Sequence, residues 1–318
     1  MENYFGLLRR HGLKLWVSFF VGSLAAGVIA GIAAVIIILI GGITLFFTGG
    51  DSLGAVMEFF DTDPSYALEK LFSPGMIIPA IIIAVLLVGL FLLCSGFTAA
   101  GTNAMMRDVV FEDRTSIERY FTQGFRHMWK MTGQLLLISL FHIPVFALFA
   151  AGVLSTLPGI IEGETPSFAG ILLFLLIGMA LILLLTLIFL HAPVILISEN
   201  AGIWNSIVLS ARLFARSFAQ VFLSGLIVFL IYALFTVGLF ILGVIIGVVT
   251  FDPSAAHPAG TNAGVELFFN LIQYVLTPLV QVFTLLAVFL RYRNLLRPRL
   301  FPEHGSNGAE DGAKIFEG

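Results

Sequence analysis

Six long runs without a charged residue constrain this chain more than any other feature of its sequence. They contain no Asp, Glu, Lys or Arg, and they lie between Lys14 and Asp51, Lys70 and Arg107, Lys130 and Glu162, Glu164 and Glu199, Arg216 and Asp252, and Glu266 and Arg291. Each run is longer than the roughly 20 residues with which an α-helix crosses a hydrocarbon core of about 30 Å. Because 59% of the residues are apolar and only 11% are charged, the composition also excludes an ordinary soluble domain. The sequence therefore predicts an all-α, polytopic membrane helix bundle, in which six transmembrane helices form three hairpins over residues 1–300.

Lysine and arginine are concentrated in alternating segments between these runs. Fifteen of the sixteen lie there, namely Arg9, Arg10, Lys14, Arg107, Arg114, Arg119, Arg126, Lys130, Arg212, Arg216, Arg291, Arg293, Arg297, Arg299 and Lys314. Since cytoplasmic loops of membrane proteins carry an excess of these residues, we expect a multi-pass protein of the cell membrane with both termini in the cytoplasm. The tail, residues 301–318, is rich in glycine and acidic residues and is predicted to be disordered.

Two segments on the predicted cytoplasmic side have the pattern of amphipathic helices. In the first, Thr115 and Glu118 form a capping box, and apolar residues follow at helical spacing, namely Ile117, Tyr120, Phe121, Phe125 and Met128. The second segment contains Ser206-Ile207 and ends at Arg216. When Ser206-Ile207 is aligned with Ser116-Ile117 of the first segment, Arg216 also matches Arg126, which indicates a repeated unit. Because basic amphipathic helices lie in the membrane interface, we expect contacts with anionic lipid headgroups or with a protein partner at the cytoplasmic face. The residues assigned to these contacts are Arg119, Arg126, Lys130, Arg212 and Arg216.

Two predicted spans contain a histidine two residues before a proline. They are His142 with Pro144 in the third span and His191 with Pro193 in the fourth. A proline inside a helix removes one backbone hydrogen bond and favours a kink, and a further kink is predicted at Pro278. Counted from the cytoplasmic ends of their spans, both histidines lie in the inner half of the bilayer, where they can meet.

The sixth predicted span is the most polar one. Its polar residues are Asn270, Gln273, Tyr274, Thr277, Gln281 and Thr284. Their spacing places them within a narrow arc of one helical face. Polar residues inside a membrane face protein or water and not lipid, so this stripe either hydrogen-bonds across helices or lines a water-accessible route. The candidate intramembrane polar site comprises His142, His191, Asn270, Gln273, Tyr274 and Gln281.

One turn of the chain is similar to a known group of membrane proteins. From Pro193 to Arg216, a span that ends in proline is followed by Glu199-Asn200 and then by a helix with alanine, serine and arginine. This turn resembles the glycerophosphoryl diester phosphodiesterase membrane-domain-like group of six-span bacterial proteins, and the stretch from Gly101 to Arg126 looks similar to the other cytoplasmic segment of that group. The resemblance covers spans two to five and implies an architecture, because the phosphodiesterase domain of some members has no counterpart in this chain.

The sequence does not bring together the groups that an enzyme needs. The predicted spans hold no charged residue, Cys94 is the single cysteine, and neither a H-E-x-x-H motif nor a nucleophile elbow is present. We therefore expect no enzyme activity, no metal, no cofactor and no nucleic-acid partner. The leading interpretation is a non-catalytic accessory, regulatory or lipid-interacting membrane protein. The alternative is a transporter or permease-like protein that passes a small or amphipathic solute along the polar face of the sixth helix.

Overall fold

As far as the structure describes them, all six uncharged runs contain a long helix, because a chain in hydrocarbon must satisfy its backbone N–H and C=O groups within itself. The computed structural model of the protein describes residues 4–49, 74–154, 168–250 and 263–301. Its helices are α1 (Tyr4–Gly49), α2 (Pro74–Glu112), α3 (Ile117–Leu154), α4 (Phe168–Phe189), α5 (Ala192–Ser198), α6 (Ile203–Arg216), α7 (Phe218–Thr250), α8 (Ala263–Arg291), a π-helical turn (Tyr292–Leu296) and α9 (Arg297–Leu300). These ranges contain no strand, and six helical stretches in them are long and apolar enough to cross a membrane. The predicted all-α polytopic bundle is therefore confirmed, whereas residues 302–318 of the predicted tail lie outside the described part.

The long helices pair as the three predicted hairpins, α1 with α2, α3 with α4, and α7 with α8. We call the end of the bundle that holds Tyr4, α6 and Leu300 the terminal end, and the end where the hairpins turn the loop end. Towards the loop end, glycines let the two helices of each hairpin approach: Gly41 against Ile83, Gly152 against Phe174, Gly178 against Phe149, and Gly243 against Phe269. Many apolar side chains there, such as Leu234 at 73% exposure, have no protein cover. Contiguous apolar surface of this kind requires lipid around it.

The terminal end holds the packed core, because there all three hairpins meet the shorter helices. Its largest cluster joins Leu7 of α1, Met106 of α2, Tyr120 of α3 and Phe289 of α8. Helix α5 contacts α2 and α3, and five of its seven residues are buried. The bundle is thus tight at the terminal end and more open towards the loop end.

Helix α3 joins the predicted amphipathic segment to the third span without a break. Its first turn is capped by Ser116, whose Oγ accepts a hydrogen bond from the Arg119 backbone N–H at 3.2 Å, and not by the predicted Thr115. The buried face also differs from the predicted one. It comprises Tyr120, Gly124, His127, Met131 and Gln134, whereas Ile117 and Phe125 are exposed. The reason is that apolar residues occur on both faces, so their spacing alone does not distinguish the face towards protein from the face towards lipid.

At Pro193, where a kink was predicted, the chain divides into two helices, because α4 ends at Phe189 and α5 begins at Ala192. The Ser210 hydroxyl donates a hydrogen bond of 2.6 Å to the carbonyl of Ile188 beside the break. Pro144 and Pro278 lie inside the continuous helices α3 and α8, and the kinks expected at these two positions stay predictions.

An ion-pair cluster at the terminal end ties α1 to the turn between α2 and α3. Asp113 adopts a left-handed φ of 54°, and its carboxylate lies 2.5 Å from His11 Nε2 and 2.5 Å from Arg10 Nη1. The hydrogen bond from His11, with a further contribution from Arg10, holds the pKa of Asp113 below its ordinary value. The start of α1 is thereby fixed against α2.

We expect Gly22→Ala to destabilise the fold, because a Cβ at Gly22 would collide with the ring of Tyr120. Overpacking of this kind costs about 1–3 kcal/mol of unfolding free energy. The matched control is Gly31→Ala, since no heavy atom lies within 4 Å of a Cβ added there, and alanine is the better helix former. Thermal unfolding of the detergent-solubilised variants measures the difference, and equal midpoints for the two variants would contradict the packing described.

Candidate functional site

The polar stripe of α8 faces a cavity between α8 and α1. This loop-side cavity has a volume of about 300 Å³, and its lining residues are Ser23, Asn270, Gln273, Tyr274, Thr277, Pro278 and Gln281. Helix α1 is held beside α8 by the indole of Trp16, which donates a hydrogen bond of 3.1 Å to the Val275 carbonyl. Phe20 meets Tyr274 edge to face, with the ring centroids 5.9 Å apart. Five of the six stripe residues predicted from sequence therefore lie along one cavity.

A second cavity continues from the first towards the terminal end. This core-side cavity has a volume of about 290 Å³ and is lined by Ser23, Thr98, Ala99, Thr102, Asn103, Tyr232, Gln281, Thr284 and Leu285. Because Ser23 and Gln281 line both cavities, the two form one groove between α1, α2, α7 and α8, which we call the α8 groove. No Asp, Glu, Lys, Arg or His is among its lining residues. The groove is thus polar but uncharged.

Two buried polar atoms of the core-side cavity have no hydrogen-bond partner among the described residues. They are Asn103 Oδ1 and Thr284 Oγ1, and their residues are only 6% and 7% exposed. The amide nitrogen of Asn103 donates instead to the Ala99 carbonyl at 2.8 Å. Leaving a buried polar group unpaired costs free energy, and such groups mark places where water or a ligand binds.

The groove is closed towards the terminal end. Beyond Asn103, α2 continues with the buried Met106, and beyond Thr284, α8 continues with the buried Leu286. Both apolar side chains belong to the largest core cluster. On the terminal side of the core-side cavity, both helices therefore continue with buried apolar side chains.

A polar latch holds the terminal end together. The carboxylate of Glu199, which follows α5, accepts hydrogen bonds from Arg297 Nε at 2.8 Å, from Arg297 Nη2 at 3.2 Å and from the Tyr292 hydroxyl at 3.1 Å. Arg297 also lies over the ring of Phe111, 5.6 Å from its centroid, and Arg293 donates to the Val110 carbonyl. The π-helical turn and α9, which follow α8, are thereby fixed to α2 and to the segment after α5.

The two histidines of the predicted polar site lie away from the α8 groove. His142 Nδ1 is 2.8 Å from the carbonyl of Ile138 in its own helix, and its ring is near Phe189. His191 is fully buried beside the ring of Tyr292. Neither ring nitrogen of His191 has a hydrogen-bond partner in the part of the chain that the structure describes, so the two histidines do not bond to each other. The structure brings together the polar residues of α8 without them.

The basic residues predicted to contact lipid fall into two groups. Arg119 pairs with the buried Asp108 at 3.1 Å and with Glu112 at 3.5 Å, and Lys130 donates to Asn200 Oδ1 at 3.1 Å. The other three are exposed and have no ion pair among the described residues; they are Arg126, Arg212 and Arg216. Arg119 thus stabilises the turn between α2 and α3. Arg126, Arg212 and Arg216 are exposed and accessible to lipid headgroups.

Helix α6 is seated so that its arginines point outward. Its buried residues are Ser206, Ile207, Ser210 and Leu213. Gln134 of α3 donates a hydrogen bond of 2.7 Å to Ser206 Oγ, while Ser210 reaches back to α4. Because one face is occupied in this way, Arg212 and Arg216 lie on the opposite, exposed face.

The groove residues on α1 and α2 were not predicted from the sequence. Helix α2 runs on to Glu112 and carries Thr102 and Asn103 into the core-side cavity. The pair Thr102-Asn103 directly after an apolar run, with no proline between Pro79 and Arg107 to end the helix, was the available signal. Ser23, a lone serine among small residues, gave none.

The fold and the groove define the class of the molecule, a multi-pass integral membrane protein surrounded by a lipid bilayer. No model of a known protein family, no curated protein and no solved structure matches the chain.

Replacing Glu199 with glutamine is expected to loosen the terminal end. The variant removes the charge that holds Arg297 and weakens hydrogen bonds to a carboxylate that is 11% exposed, which lowers the unfolding free energy by about 1–3 kcal/mol. Glu112→Gln is the control, because its 42% exposed carboxylate makes only longer ion pairs and costs less than about 1 kcal/mol. Thermal unfolding of both variants tests this, and an equal effect would rule out a special role for the latch.

Proposed function

We propose that the protein is a permease-like membrane protein that passes a small or amphipathic solute along the α8 groove. The observation that carries the proposal is that the polar stripe of α8 lines two adjoining cavities, joined at Ser23 and Gln281. Polar side chains are costly in hydrocarbon unless they face protein or water. A stripe that borders open volume provides a polar surface along which a solute can move.

The contacts of the stripe favour this function over simple packing. Thr277 Oγ1 donates to the Gln273 carbonyl of its own helix. The side-chain amides of Gln273 and Gln281 make no hydrogen bond with any described residue of another helix. Because hydrogen bonds across helices would be the purpose of a packing stripe, amides that face a cavity support binding.

The proposed function includes no chemical step. The lining residues of the α8 groove provide hydroxyls and amides, but no carboxylate, imidazole, amine or thiol that could act as acid, base or nucleophile. The resemblance of the Pro193–Arg216 turn to the glycerophosphoryl diester phosphodiesterase membrane-domain-like group stays a prediction and adds no activity here. We further propose that the protein lies in the cell membrane with its basic terminal end facing the cytoplasm. The groove then opens towards the other side of the membrane.

Cysteine labelling tests whether water reaches the stripe. On a Cys94→Ala background, we expect Gln273→Cys and Gln281→Cys to react with a membrane-impermeant maleimide several times faster than Leu271→Cys. Leu271 lies on the same helix and is exposed, but it does not line the groove and faces lipid, where the thiol stays protonated. The labelling rate is followed by mass spectrometry. A Gln281→Cys variant that reacts as slowly as Leu271→Cys would mean a sealed stripe and would exclude passage along it.

A second candidate is the non-catalytic accessory function, in which α6 binds anionic lipid headgroups or a protein partner at the same face. The observation that favours it is the exposed pair Arg212 and Arg216, one helical turn apart, on a helix that also exposes Trp204. Basic residues with aromatic neighbours are typical of helices in the membrane interface. This function uses the terminal end and is independent of the groove.

The double variant Arg212→Gln/Arg216→Gln is expected to retain less anionic lipid than the unmodified protein after purification. Each basic residue near an anionic surface contributes about 1 kcal/mol, so retention falls by roughly tenfold or more. Mass spectrometry of the bound lipids gives the ratio of anionic to neutral species. The control Arg9→Gln/Arg114→Gln removes the same charge from exposed positions outside α6, and an equal loss in the control would rule out a binding surface on α6.

A further inference from the structure

We infer that the core-side cavity binds an uncharged group that carries several hydroxyls, either a free polyol or the glycerol head of a lipid. The inference rests on the function proposed for the α8 groove and names the class of its solute. The hydrogen-bonding state, the charge and the size of the cavity support it.

The α2 wall of the cavity presents hydrogen-bond acceptors. The Thr98 hydroxyl donates to the Cys94 carbonyl at 3.0 Å, and the Thr102 hydroxyl donates to the Thr98 carbonyl at 2.9 Å. Both hydroxyl oxygens keep lone pairs that can accept a hydrogen bond. Asn103 Oδ1 is a third acceptor, buried and without a partner. Three acceptors on adjacent turns of one helix suit a ligand with more than one donor.

The opposite wall, on α8, can both donate and accept. Thr284 Oγ1 is buried without a partner, and Gln281 contributes an amide to the same cavity. A hydroxyl is at once a donor and an acceptor. A group with several hydroxyls can therefore donate to the α2 wall while it accepts from the α8 wall, and it satisfies both unpaired atoms.

The charge of the cavity excludes an ionic ligand. None of its lining residues is Asp, Glu, Lys, Arg or His. A phosphate would meet no cation, and an ammonium group would meet no carboxylate. Since transferring an uncompensated charge into a site of low dielectric constant is strongly unfavourable, the bound group is uncharged.

The size of the cavity fits a head group. Its volume of about 290 Å³ is at the lower limit of the roughly 300–1,000 Å³ typical of small-molecule sites. The loop-side cavity continues from it past Gln281, which provides the way in. An attached acyl chain would lie along that second cavity or in the surrounding lipid.

Binding of matched probes tests the inference. The purified full chain in nanodiscs is titrated with four radiolabelled ligands: glycerol, a 1-monoacylglycerol, the lysophosphatidate of the same acyl chain, and a primary alkylamine of equal chain length. We expect saturable binding of glycerol, of the monoacylglycerol, or of both. Glycerol binding identifies a free polyol as the solute, whereas binding of the monoacylglycerol alone identifies a lipid. The two charged probes are expected to bind at least tenfold more weakly.

Thr284→Val locates the site, because it keeps the shape of the side chain and removes the unpartnered hydroxyl. We expect this variant to fold at least as well as the unmodified protein, since no hydrogen bond is lost, and to bind the ligand about tenfold more weakly. Thr122→Val is the control, because the Thr122 hydroxyl on α3 donates to the Glu118 carbonyl and lies outside the groove.

Three results would overturn the inference. Equal or tighter binding of lysophosphatidate or the alkylamine would exclude an uncharged ligand, and unchanged affinity in Thr284→Val would exclude this cavity. Absence of binding by every probe would exclude the polyol class. In that last case the cysteine labelling separates the two proposals: a reactive Gln281→Cys leaves the permease-like function standing, whereas an unreactive one removes both.

Discussion

The packing of Tyr120 into the space left by Gly22 and Gly101 is the contact on which the rest of the bundle depends. A side chain at either glycine would overlap the ring, so only glycine allows α1, α2 and α3 to come this close. The contact also positions the groove, because Ser23 follows Gly22 in α1 and Asn103 comes two residues after Gly101 in α2. The same approach that buries the tyrosine thus brings the polar side chains of Ser23 and Asn103 into the core-side cavity.

The terminal end of the bundle is packed more tightly than the loop end, and the reason is that the surrounding solvent is lipid. In lipid, apolar helices gain little by associating with each other, so close packing depends on small residues and on polar contacts. Towards the loop end the described helices have glycine contacts within each hairpin, and at several glycines, such as Gly89 and Gly238, an added Cβ would meet no other described helix within 4 Å. At the terminal end the helices share ion pairs and hydrogen bonds as well as a core. A groove that opens towards the loop end and ends at the core is the consequence.

The sequence predicted those features that depend on one segment at a time. The number of spans follows from runs of uncharged residues, and the polar face of α8, with Gln281, follows from spacing along one helix. The opposite wall of the groove could not be predicted in this way, because Ser23 and Asn103 reach it only through contacts between distant segments. The basic residues show the same limit: Arg119 has the same charge as the exposed arginines, but it faces the buried Asp108 only because α2 continues as a helix to Glu112 and brings Asp108 beside α3.

The latch at Glu199 lies at the terminal end, which a solute must cross after it has passed through the groove. A solute that enters the groove from the loop end must pass Asn103 and then the level of α5, a short helix in the interrupted chain between α4 and α6. Interrupted helices are typical of transporters, and α5 contacts α2, which lines the core-side cavity. Residues 199–202 alone separate α5 from α6, so the contacts that seat α6 and the bond between Glu199 and Arg297 act on the same short segment. Under the proposed function, the packing of α6 against α3 and α4 therefore holds one side of the closed end, and the latch holds the other.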